Sequence, residues 1–360
     1  MKWKPDWPQA RENHVRWWNR EGLVLWLTAP RETPIEPIAK PTRPDDLVQR
    51  WVDPVYRCNA DEYRLARTAH LADAFPFLST QIGPGSLGTF IGSEPEFAET
   101  TVWYRPCIDN PDTYGSVRFD PAGNKWFDAH LALIDEALRR ADGRYFVGVP
   151  DLIENLDTLA ALRDTEKLMV DLIERPGWVL ERLDEINEAF FASFDILYDR
   201  VREADDGGNV FIFSIWGPGK TVKVQCDLAC MLSPEMFRRF VVPALTAQCE
   251  WLDYSMFHLD GEDATQHLDA LLEINALDAV EWTPRMLYTG DDEEASGSPK
   301  WYDLYRRIKA GGKSVQAIVV RPHQVVPLLD AVGPEGMYLT VGAPDLPTAE
   351  KLLKDVEQFR

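Results

Sequence analysis

Short apolar runs along the chain alternate with longer segments in which apolar residues recur every three or four positions. Continuous apolar runs predict buried strands, and the longer period predicts amphipathic helices. The predicted strands are residues 75–79, 116–119, 145–149, 210–215, 255–257, 279–282, 315–320 and 337–341. The predicted helices are residues 128–141, 165–199 as two helices, 234–252, 263–274, 301–310, 322–330 and 349–359.

Strands that alternate with helices predict parallel pairing through right-handed crossovers. Eight such strands predict an α/β fold, a (β/α)8 TIM-type barrel over residues 73–360. Residues 1–72 are predicted to form an N-terminal helical, proline-rich extension packed on the barrel, with a short strand at 21–28. The first crossover, 80–115, has turn chemistry in place of helical periodicity. A doubly wound open sheet is therefore the alternative.

The charge balance of the chain argues against two classes of partner. Its 360 residues include 38 basic and 59 acidic side chains, a formal net charge of −21. This charge repels nucleic acid and anionic membranes, so neither is expected to bind. The sequence shows no signal peptide and no apolar run long enough to span a membrane. We therefore expect a cytoplasmic protein, either a monomer or a homodimer, and five scattered cysteines fit a reducing compartment.

Chemically capable side chains follow most of the predicted strands. Ligands of parallel sheets and barrels bind outside the carboxyl ends of the strands, so these side chains are expected to converge on one mouth. We assign catalytic roles to Asp151, Asp260 and Glu281, and substrate contacts to Trp216, Lys220, Asp227, Trp282, Arg321 and His323.

The strongest local signal is a histidine and a carboxylate two positions apart at the end of an apolar run. Residues two apart in a strand point to the same side, so His258 and Asp260 are expected side by side where the strand ends. With Glu281 from the next predicted strand, they form a candidate site for a divalent metal, zinc or a harder cation. The alternative is a structural His–Asp pair that closes a turn.

Other candidates have structural alternatives of similar weight. Asp151 either faces the mouth or caps a helix. The thirteen tryptophans are mostly expected in the core, although Trp216 and Trp282 could stack on a sugar-like ligand. The acidic, turn-rich segment 284–300 is interpreted as a mobile lid, and deleting residues 291–298 should impair substrate binding with little change in melting temperature.

Several motifs of the chain occur together in a known superfamily. They are Gly-Val-Pro-Asp-Leu at 148–152, Asp227, the segment 232–243 with Ser-Pro-Glu-Met-Phe, Phe-His-Leu-Asp-Gly at 257–261, Ala-Val-Glu-Trp at 279–282, and the segment 339–347. In this order, from about Phe75 to the C-terminus, the chain resembles the uroporphyrinogen decarboxylase superfamily, which includes zinc-dependent corrinoid methyltransferases. The resemblance implies a (β/α)8 barrel with a funnel at the carboxyl ends of its strands.

The resemblance leaves the activity open. It implies that methyltransferases of this kind bind zinc through a His-x-Cys motif and a later cysteine. Here His258 matches the histidine, Asp260 replaces the first cysteine, and Ala343 aligns with the last. The decarboxylase branch grips a polyanionic porphyrinogen, which the strong negative charge of this chain opposes. We therefore expect a divergent member with a rebuilt funnel.

Three functions are compatible with these observations. The first is a metal-dependent methyltransferase that demethylates a small substrate toward a corrinoid supplied by a partner protein. The second is a metal- or carboxylate-dependent hydrolase or lyase that acts on a carbohydrate or polyol. The third is a non-catalytic protein that binds a small molecule.

Overall fold

The protein has a mixed α/β architecture with a large, mostly parallel sheet and many helices. The computed structural model describes residues 1–287 and 290–360. The strands are β1 (Leu23–Pro30), β2 (Thr68–Ala72), β3 (Phe77–Leu78), β4 (Glu94–Phe97), β5 (Val102–Arg105), β6 (Phe146–Val147), β7 (Asn209–Phe211), β8 (Ile215–Gly217), β9 (Thr221–Gln225), β10 (Tyr254–Asp260), β11 (Ala279–Thr283), β12 (Ser314–Ala317) and β13 (Met337–Gly342).

Helices fill most of the connections between these strands. They are α1 (Trp7–Trp18), α2 (Leu47–Val52), α3 (Pro54–Leu65), α4 (Leu87–Phe90), α5 (Lys125–Ala141), α6 (Asn155–Arg163), α7 (Thr165–Glu174), α8 (Pro176–Val201), α9 (Pro234–Met236), α10 (Val242–Trp251), α11 (Leu268–Leu272), α12 (Tyr302–Ala310), α13 (Val325–Val332) and α14 (Leu346–Val356). Side-chain caps begin several of them: Asn124 accepts from the Phe127 N–H at 3.2 Å, and Asp345 accepts from the Thr348 N–H at 2.8 Å.

The main sheet has the strand order β2-β1-β13-β12-β11-β10-β9 in the described residues. Its strands pair in parallel, except that β2 runs antiparallel to β1. A separate parallel pair joins β3 to β6, and two antiparallel pairs join β4 to β5 and β7 to β8. Backbone ladders alone therefore do not close a barrel within the part of the chain that the structure describes.

Periodicity predicts the second half of the sheet well. The predicted strands at 255–257, 279–282 and 337–341 are confirmed as β10, β11 and β13, and the one at 315–320 shortens to β12, which ends at Ala317. Those at 75–79 and 145–149 shorten to β3 and β6. The strand at 116–119 is wrong, because no ladder forms there and the Val117 N–H donates instead to Glu185 at 2.7 Å.

The predicted fourth strand, 210–215, is also wrong. This segment is the β7–β8 hairpin, whose turn contains Phe213 and Ser214, each with φ of 61°. The strand that pairs with β10 is β9, which periodicity did not identify. Two consecutive non-glycine residues in the left-handed region are backbone strain that a pattern of apolar residues cannot reveal.

The predicted boundary between an extension at 1–72 and a barrel domain at 73–360 does not separate the sheet. Strand β1 lies within the predicted extension, yet it pairs in parallel with β13 over six residue pairs from Leu23↔Met337 to Thr28↔Gly342. Helix α1 covers the amino ends of the strands, since Trp17 Nε1 donates to the Gly336 carbonyl at 3.2 Å and Trp18 Nε1 donates to the Trp216 carbonyl at 2.9 Å. The N-terminal segment is therefore part of the core.

The strand registers produce a buried polar layer. Gln225, His258, Glu281, Gln316 and Tyr338 are successive cross-strand partners from β9 to β13. Because cross-strand partners project from the same face of a sheet, these side chains lie in one row across five strands. Apolar neighbours such as Val224 and Val280 project from the other face toward the helices.

A further finding concerns membranes. Among the described helices, none combines the length and the apolar character that a bilayer crossing requires.

Candidate functional site

Three side chains with metal-ligand chemistry meet at the carboxyl ends of β9 and β10. One donor atom from each of Asp227, His258 and Asp260 lies within 4.8 Å of the others. His258 and Asp260 belong to the end of β10, and Asp227 follows β9 by two residues. All three retain contact with solvent, which leaves room for water or a substrate beside a bound cation.

Glu281 lies behind His258. The Nδ1 atom of His258 and Oε2 of Glu281 form a hydrogen bond, and Thr283 Oγ1 donates to the other carboxylate oxygen at 2.7 Å. The Glu281 side chain is fully buried. Carboxylates in this position fix the ring and the tautomer of metal-binding histidines, with the second ring nitrogen free to bind the metal. Here the ring nitrogen that Glu281 leaves free is Nε2. Glu281 lies outside the group formed by Asp227, His258 and Asp260, so its predicted role as a metal ligand stays a prediction.

The ionisation of His258 depends on this contact. Burial acts to lower the pKa of His258, but the charge and hydrogen bond of Glu281 outweigh it, so the pKa is raised above its usual value. Burial also raises the pKa of Asp260, against the opposing charge of His258. A cation at this site would therefore displace protons when it binds.

Asp157 positions the turn that carries Asp227. Its carboxylate accepts from the Asp227 N–H at 2.7 Å and from the Leu228 N–H at 3.0 Å. Gln225 of the polar layer adds a third donor, Nε2, at 3.3 Å. Burial, followed by the charge of Asp227, raises the pKa of Asp157 to about 7. The turn 227–231 is therefore anchored from α6.

An ion pair is buried beneath the metal-ligand group. Lys223 Nζ lies 3.1 Å from Asp151 Oδ1, and the two side chains are 0% and 4% exposed. Lys223 also bonds to Gln225 Oε1. Asp151 thus does not cap α6, whose N-cap is Glu154. It lies in the interior close enough to His258 and Asp227 for their charges to act on it, and its predicted catalytic role stays a prediction. It neutralises a lysine that would otherwise be an unpaired interior charge.

Phe213 packs against His258. Its ring lies 4.8 Å from that of His258. Two members of the polar layer hold its strained backbone, because Gln316 Nε2 donates to the Phe213 carbonyl at 2.8 Å and Tyr338 OH donates to the Ser214 carbonyl at 2.5 Å. The β7–β8 turn therefore fills the space between the strands and supports the imidazole.

Two of the predicted substrate contacts lie at the opposite end of the sheet. Trp216 is 0% exposed and packs against Trp7 of α1 at 5.1 Å. Lys220 precedes β9, pairs with Asp195 at 2.6 Å and lies 4.0 Å above the Trp251 ring. The amino end of β9 is remote from the ligand group at its carboxyl end, so the structure does not bring these residues to the site.

Three further predicted contacts face other partners. Trp282 is 0% exposed and packs on Trp301, because its side chain projects from the helix-covered face of β11. Arg321 and His323 both pair with Asp292, at 2.7 and 3.1 Å. They fasten the loop after β11 and do not join the ligand group.

Several residues of the site are absent from the sequence predictions. They are Lys223, Glu154, Asp157 and Phe213. One signal was available: Thr221–Gln225 alternates apolar Val222 and Val224 with polar Lys223 and Gln225, the period of a strand with a polar inner face. The contacts of Asp157 and Phe213 join distant segments, and no local pattern encodes them.

Glu154 provides a test of the electrostatics around the site. Its side chain is fully buried, and neither carboxylate oxygen meets a donor of normal geometry among the described residues. Burial is the main reason that the pKa of Glu154 is raised to about 8, and Lys223 opposes it. Since an unfolded glutamate titrates near 4.3, the stability from this site is complete below that pH and is lost as the pH rises toward 8.

We expect Glu154→Gln, which is neutral at every pH, to gain stability relative to the wild type as the pH rises. The relative gain between about pH 5 and about pH 8 should be about 1 kcal/mol or more. Urea unfolding at both pH values measures it. An equal stability difference at the two pH values would contradict the raised pKa.

Comparisons with known proteins support the fold and little else. No family model matches the sequence, and no curated protein matches it either. Among solved structures, a methyltransferase from Methanosarcina mazei superposes with a TM-score of 0.61 over 97% of this chain and 98% of that chain, at 10% sequence identity. The two chains therefore share a fold along nearly their whole length. Identity at this level carries no activity or substrate from one protein to the other.

The donor set fits a divalent cation of borderline or hard character. One imidazole nitrogen and two carboxylates are ligands for zinc, manganese or iron, whereas an all-thiolate set would favour softer ions. The oriented imidazole and the two solvent-accessible carboxylates are features of catalytic sites with an open coordination position.

Proposed function

We propose that the protein is a metal-dependent, methyltransferase-like enzyme that acts on a small molecule at the mouth of a closed (β/α)8 barrel. One observation carries the proposal: one donor atom from each of Asp227, His258 and Asp260 lies within 4.8 Å of the others, while Glu281 engages Nδ1 of His258 and leaves Nε2 free. In metal centres, a buried carboxylate commonly hydrogen-bonds to one nitrogen of an imidazole and leaves the other nitrogen for the metal. Glu281 and His258 have this relation, with two accessible carboxylates nearby. The superfamily resemblance of the sequence motifs suggests the reaction class, and the methyltransferase that shares the fold is compatible with it.

The strand ladder of the described residues has two gaps, one between β1 and β3 and one between β6 and β9, and hydrogen bonds across both gaps support closure of the barrel. Eight strands run in parallel pairs: β1, β3, β6 and β9 to β13. Between β1 and β3, Asp73 accepts from the Leu25 N–H at 2.8 Å and donates its own N–H to the Leu25 carbonyl at 3.0 Å. Between β6 and β9, contacts run through β7: the Val149 N–H donates to the Val210 carbonyl at 2.8 Å, and the Asn209 side chain exchanges two hydrogen bonds of 2.8 Å with the Thr221 backbone.

The proposed chemistry assigns distinct roles to these residues. A bound divalent cation supplies Lewis acidity toward an oxygen or sulfur atom of the substrate. His258, Asp227 and Asp260 would hold the cation, while Glu281 orients the imidazole and Asp157 fixes the backbone of Asp227. In the transfer, the acceptor in its reduced form would supply the electron pair for the new bond to the methyl carbon as the bond from that carbon to the substrate oxygen breaks. The electron pair of the broken bond stays on that oxygen, which takes a proton from water at the open mouth.

The ligand types favour an oxygen-containing methyl donor. Asp260 and Ala343 replace the cysteines that the superfamily resemblance implies, so the site lacks the thiolates that suit a soft, thiol-activating zinc. The acceptor in this proposal is a corrinoid supplied by a partner protein. The sugar-processing alternative loses its main support, because Trp216 and Trp282 are both buried and cannot stack on a ligand.

A direct assay tests the reaction class. Metal-loaded protein is incubated with reduced cobalamin and a panel of small methoxylated compounds, and methylcobalamin is followed by its absorbance. Formation of methylcobalamin that depends on both the protein and the metal would support the proposal. Release of methanol without methylcobalamin would indicate hydrolysis instead, and no turnover of any compound would contradict methyl transfer.

Glu281→Gln tests the role of the residue behind His258. We expect the affinity for Zn²⁺ or Mn²⁺ to fall about 10- to 100-fold, as it does when outer-shell partners are lost from other metal sites. Isothermal titration calorimetry measures the change. The matched control is Glu262→Gln, which removes a partly exposed carboxylate near the mouth that contacts Lys300. If the two variants bound the metal with equal affinity, Glu281 would have no role in metal binding.

A further inference from the structure

A cavity of about 520 Å³ opens beside Asp227. Its walls come from the loop at Pro84 and Gly85, the hairpin strand β5, helix α6 and the turn that carries Leu228 and Met231. Its size lies within the range of small-molecule sites. Because Asp227 belongs both to the cavity wall and to the metal-ligand group, a molecule in this cavity would lie next to the proposed cation.

The charges in the cavity wall all have one sign. Asp157, Asp164 and Asp227 line it, and no lysine, arginine or histidine does so among the described residues. Two of these carboxylates already serve backbone donors. Asp164 accepts from the N–H groups of Glu166 and Lys167 at 3.1 and 3.3 Å, and Asp157 accepts from the turn at 227–228. The wall therefore has no positive charge to pair with an anionic ligand, and its carboxylates repel such a ligand.

The remaining wall is apolar and partly aromatic. Trp103 is 65% exposed and Met231 is 55% exposed, although both are large apolar side chains. Tyr104 lies beside them, and its hydroxyl donates to the Pro84 carbonyl, which ties β5 to the loop. Exposed indole and thioether groups at a concave site are contacts that an aromatic ring can use.

The backbone around the cavity is held in unusual conformations. Ile153, which lines the wall, has φ of 51°, a value that β-branched residues rarely adopt. Gly83 has φ of 79°, and a Cβ there would lie 2.6 Å from Val102. Strained or close-packed backbone of this kind persists where the surrounding structure enforces it, and it concentrates at ligand sites.

We infer that this cavity binds an aromatic molecule that carries no negative charge, with the oxygen of a methoxy-substituted ring directed toward Asp227 and the proposed metal. The inference rests on the proposed function for the direction of the methoxy group, and on the cavity alone for the ring and its charge. The apolar and aromatic wall accommodates the ring, and the aspartates exclude a carboxylate-bearing analogue.

Three probes of nearly equal shape test the charge preference: 4-methoxybenzyl alcohol, 4-methoxybenzoate and 4-methoxybenzylamine. Binding is measured by calorimetry in EDTA-treated protein, so that the result does not depend on the metal. We expect the alcohol to bind at least about tenfold more tightly than the benzoate, a difference of about 1.4 kcal/mol. The amine should bind at least as tightly as the alcohol, because the carboxylates of the wall attract its ammonium group. Tighter binding of the benzoate than of the alcohol, or no binding of the alcohol, would overturn the inference.

Variants locate the bound ring. Trp103→Ala should weaken binding of the alcohol about tenfold or more, whereas Ile173→Ala, which removes a 75% exposed apolar side chain outside the cavity, should leave it unchanged. Met231→Arg should improve binding of the benzoate, since it adds a cation to the wall. Equal effects of Trp103→Ala and Ile173→Ala would overturn the assignment. A protein that binds the ring but no metal would refute the proposed function and leave this inference standing.

Discussion

His258→Ala is expected to weaken binding of Zn²⁺ or Mn²⁺ by more than about 100-fold, since the loss of an outer-shell partner alone costs 10- to 100-fold. The substitution removes the only nitrogen donor of the ligand group found in the described residues. Wild-type protein with the cation at about 100 times its dissociation constant should gain about 2.7 kcal/mol of stability, and the variant should gain almost none. Calorimetry and thermal unfolding with and without the cation measure both effects.

His323→Ala is the matched control for this substitution. Its imidazole also lies after a strand of the main sheet, but it is 64% exposed and pairs with Asp292 away from the ligand group. The control should bind metal as the wild type does. If His323→Ala lost as much metal affinity as His258→Ala, the effect of His258→Ala would reflect nonspecific binding of the cation.

Lys223→Met is expected to destabilise the protein by about 3 kcal/mol or more, because it removes one member of a buried ion pair and leaves the other uncompensated. Lys223 is 0% exposed and Asp151 is 4% exposed, so water cannot replace the missing charge. Burial already raises the pKa of Asp151. Without the lysine the carboxyl should take up a proton more readily, and the loss of stability should be smaller at acidic pH. Urea unfolding at two pH values measures the effect.

Lys220→Met provides the comparison on the same strand edge. Lys220 pairs with Asp195, but the two side chains are 26% and 50% exposed. Solvent-accessible pairs contribute about 1 kcal/mol or less. If Lys223→Met lost no more stability than Lys220→Met, the interior ion pair would be screened by solvent and would not support the site.

The part of the site that local pattern encodes was predictable. In a strand, side chains two apart share a face, so the run that ends at His258 and Asp260 identified two of the three ligand-group residues. Register then brings Glu281 of the next strand opposite His258. The third member, Asp227, was expected as a substrate contact. Its position depends on Asp157, which lies 70 positions earlier in the chain.

The errors have a common physical origin. Residues 210–215 are as apolar as a central strand, and only the left-handed φ angles of Phe213 and Ser214 turn them into a hairpin. That hairpin sends Trp216 to the end of the sheet that α1 covers. The pattern of apolar residues shows which residues are buried. It does not show where a hairpin reverses the chain, and so it cannot show at which end of the sheet a residue such as Trp216 lies.

The segment 284–300 shows the same limit. Residues 288 and 289 lie outside the described residues. Beyond them, Ser296 and Ser298 are buried and Tyr305 OH donates to the Ser296 carbonyl at 2.6 Å. Gln324 Nε2 donates to the Asp292 carbonyl at 2.9 Å. These contacts argue against the expectation that deleting residues 291–298 leaves the melting temperature nearly unchanged, because the deletion would remove buried residues and their hydrogen bonds.

Anomalous diffraction from crystals soaked in Mn²⁺ or Zn²⁺ tests the central claim most directly. We predict one strong anomalous peak bonded to Nε2 of His258 and to carboxylate oxygens of Asp227 and Asp260, with Glu281 still bonded to Nδ1 of the same ring. A peak at Nδ1 with Glu281 as a ligand, or no peak at this end of the sheet, would contradict the account.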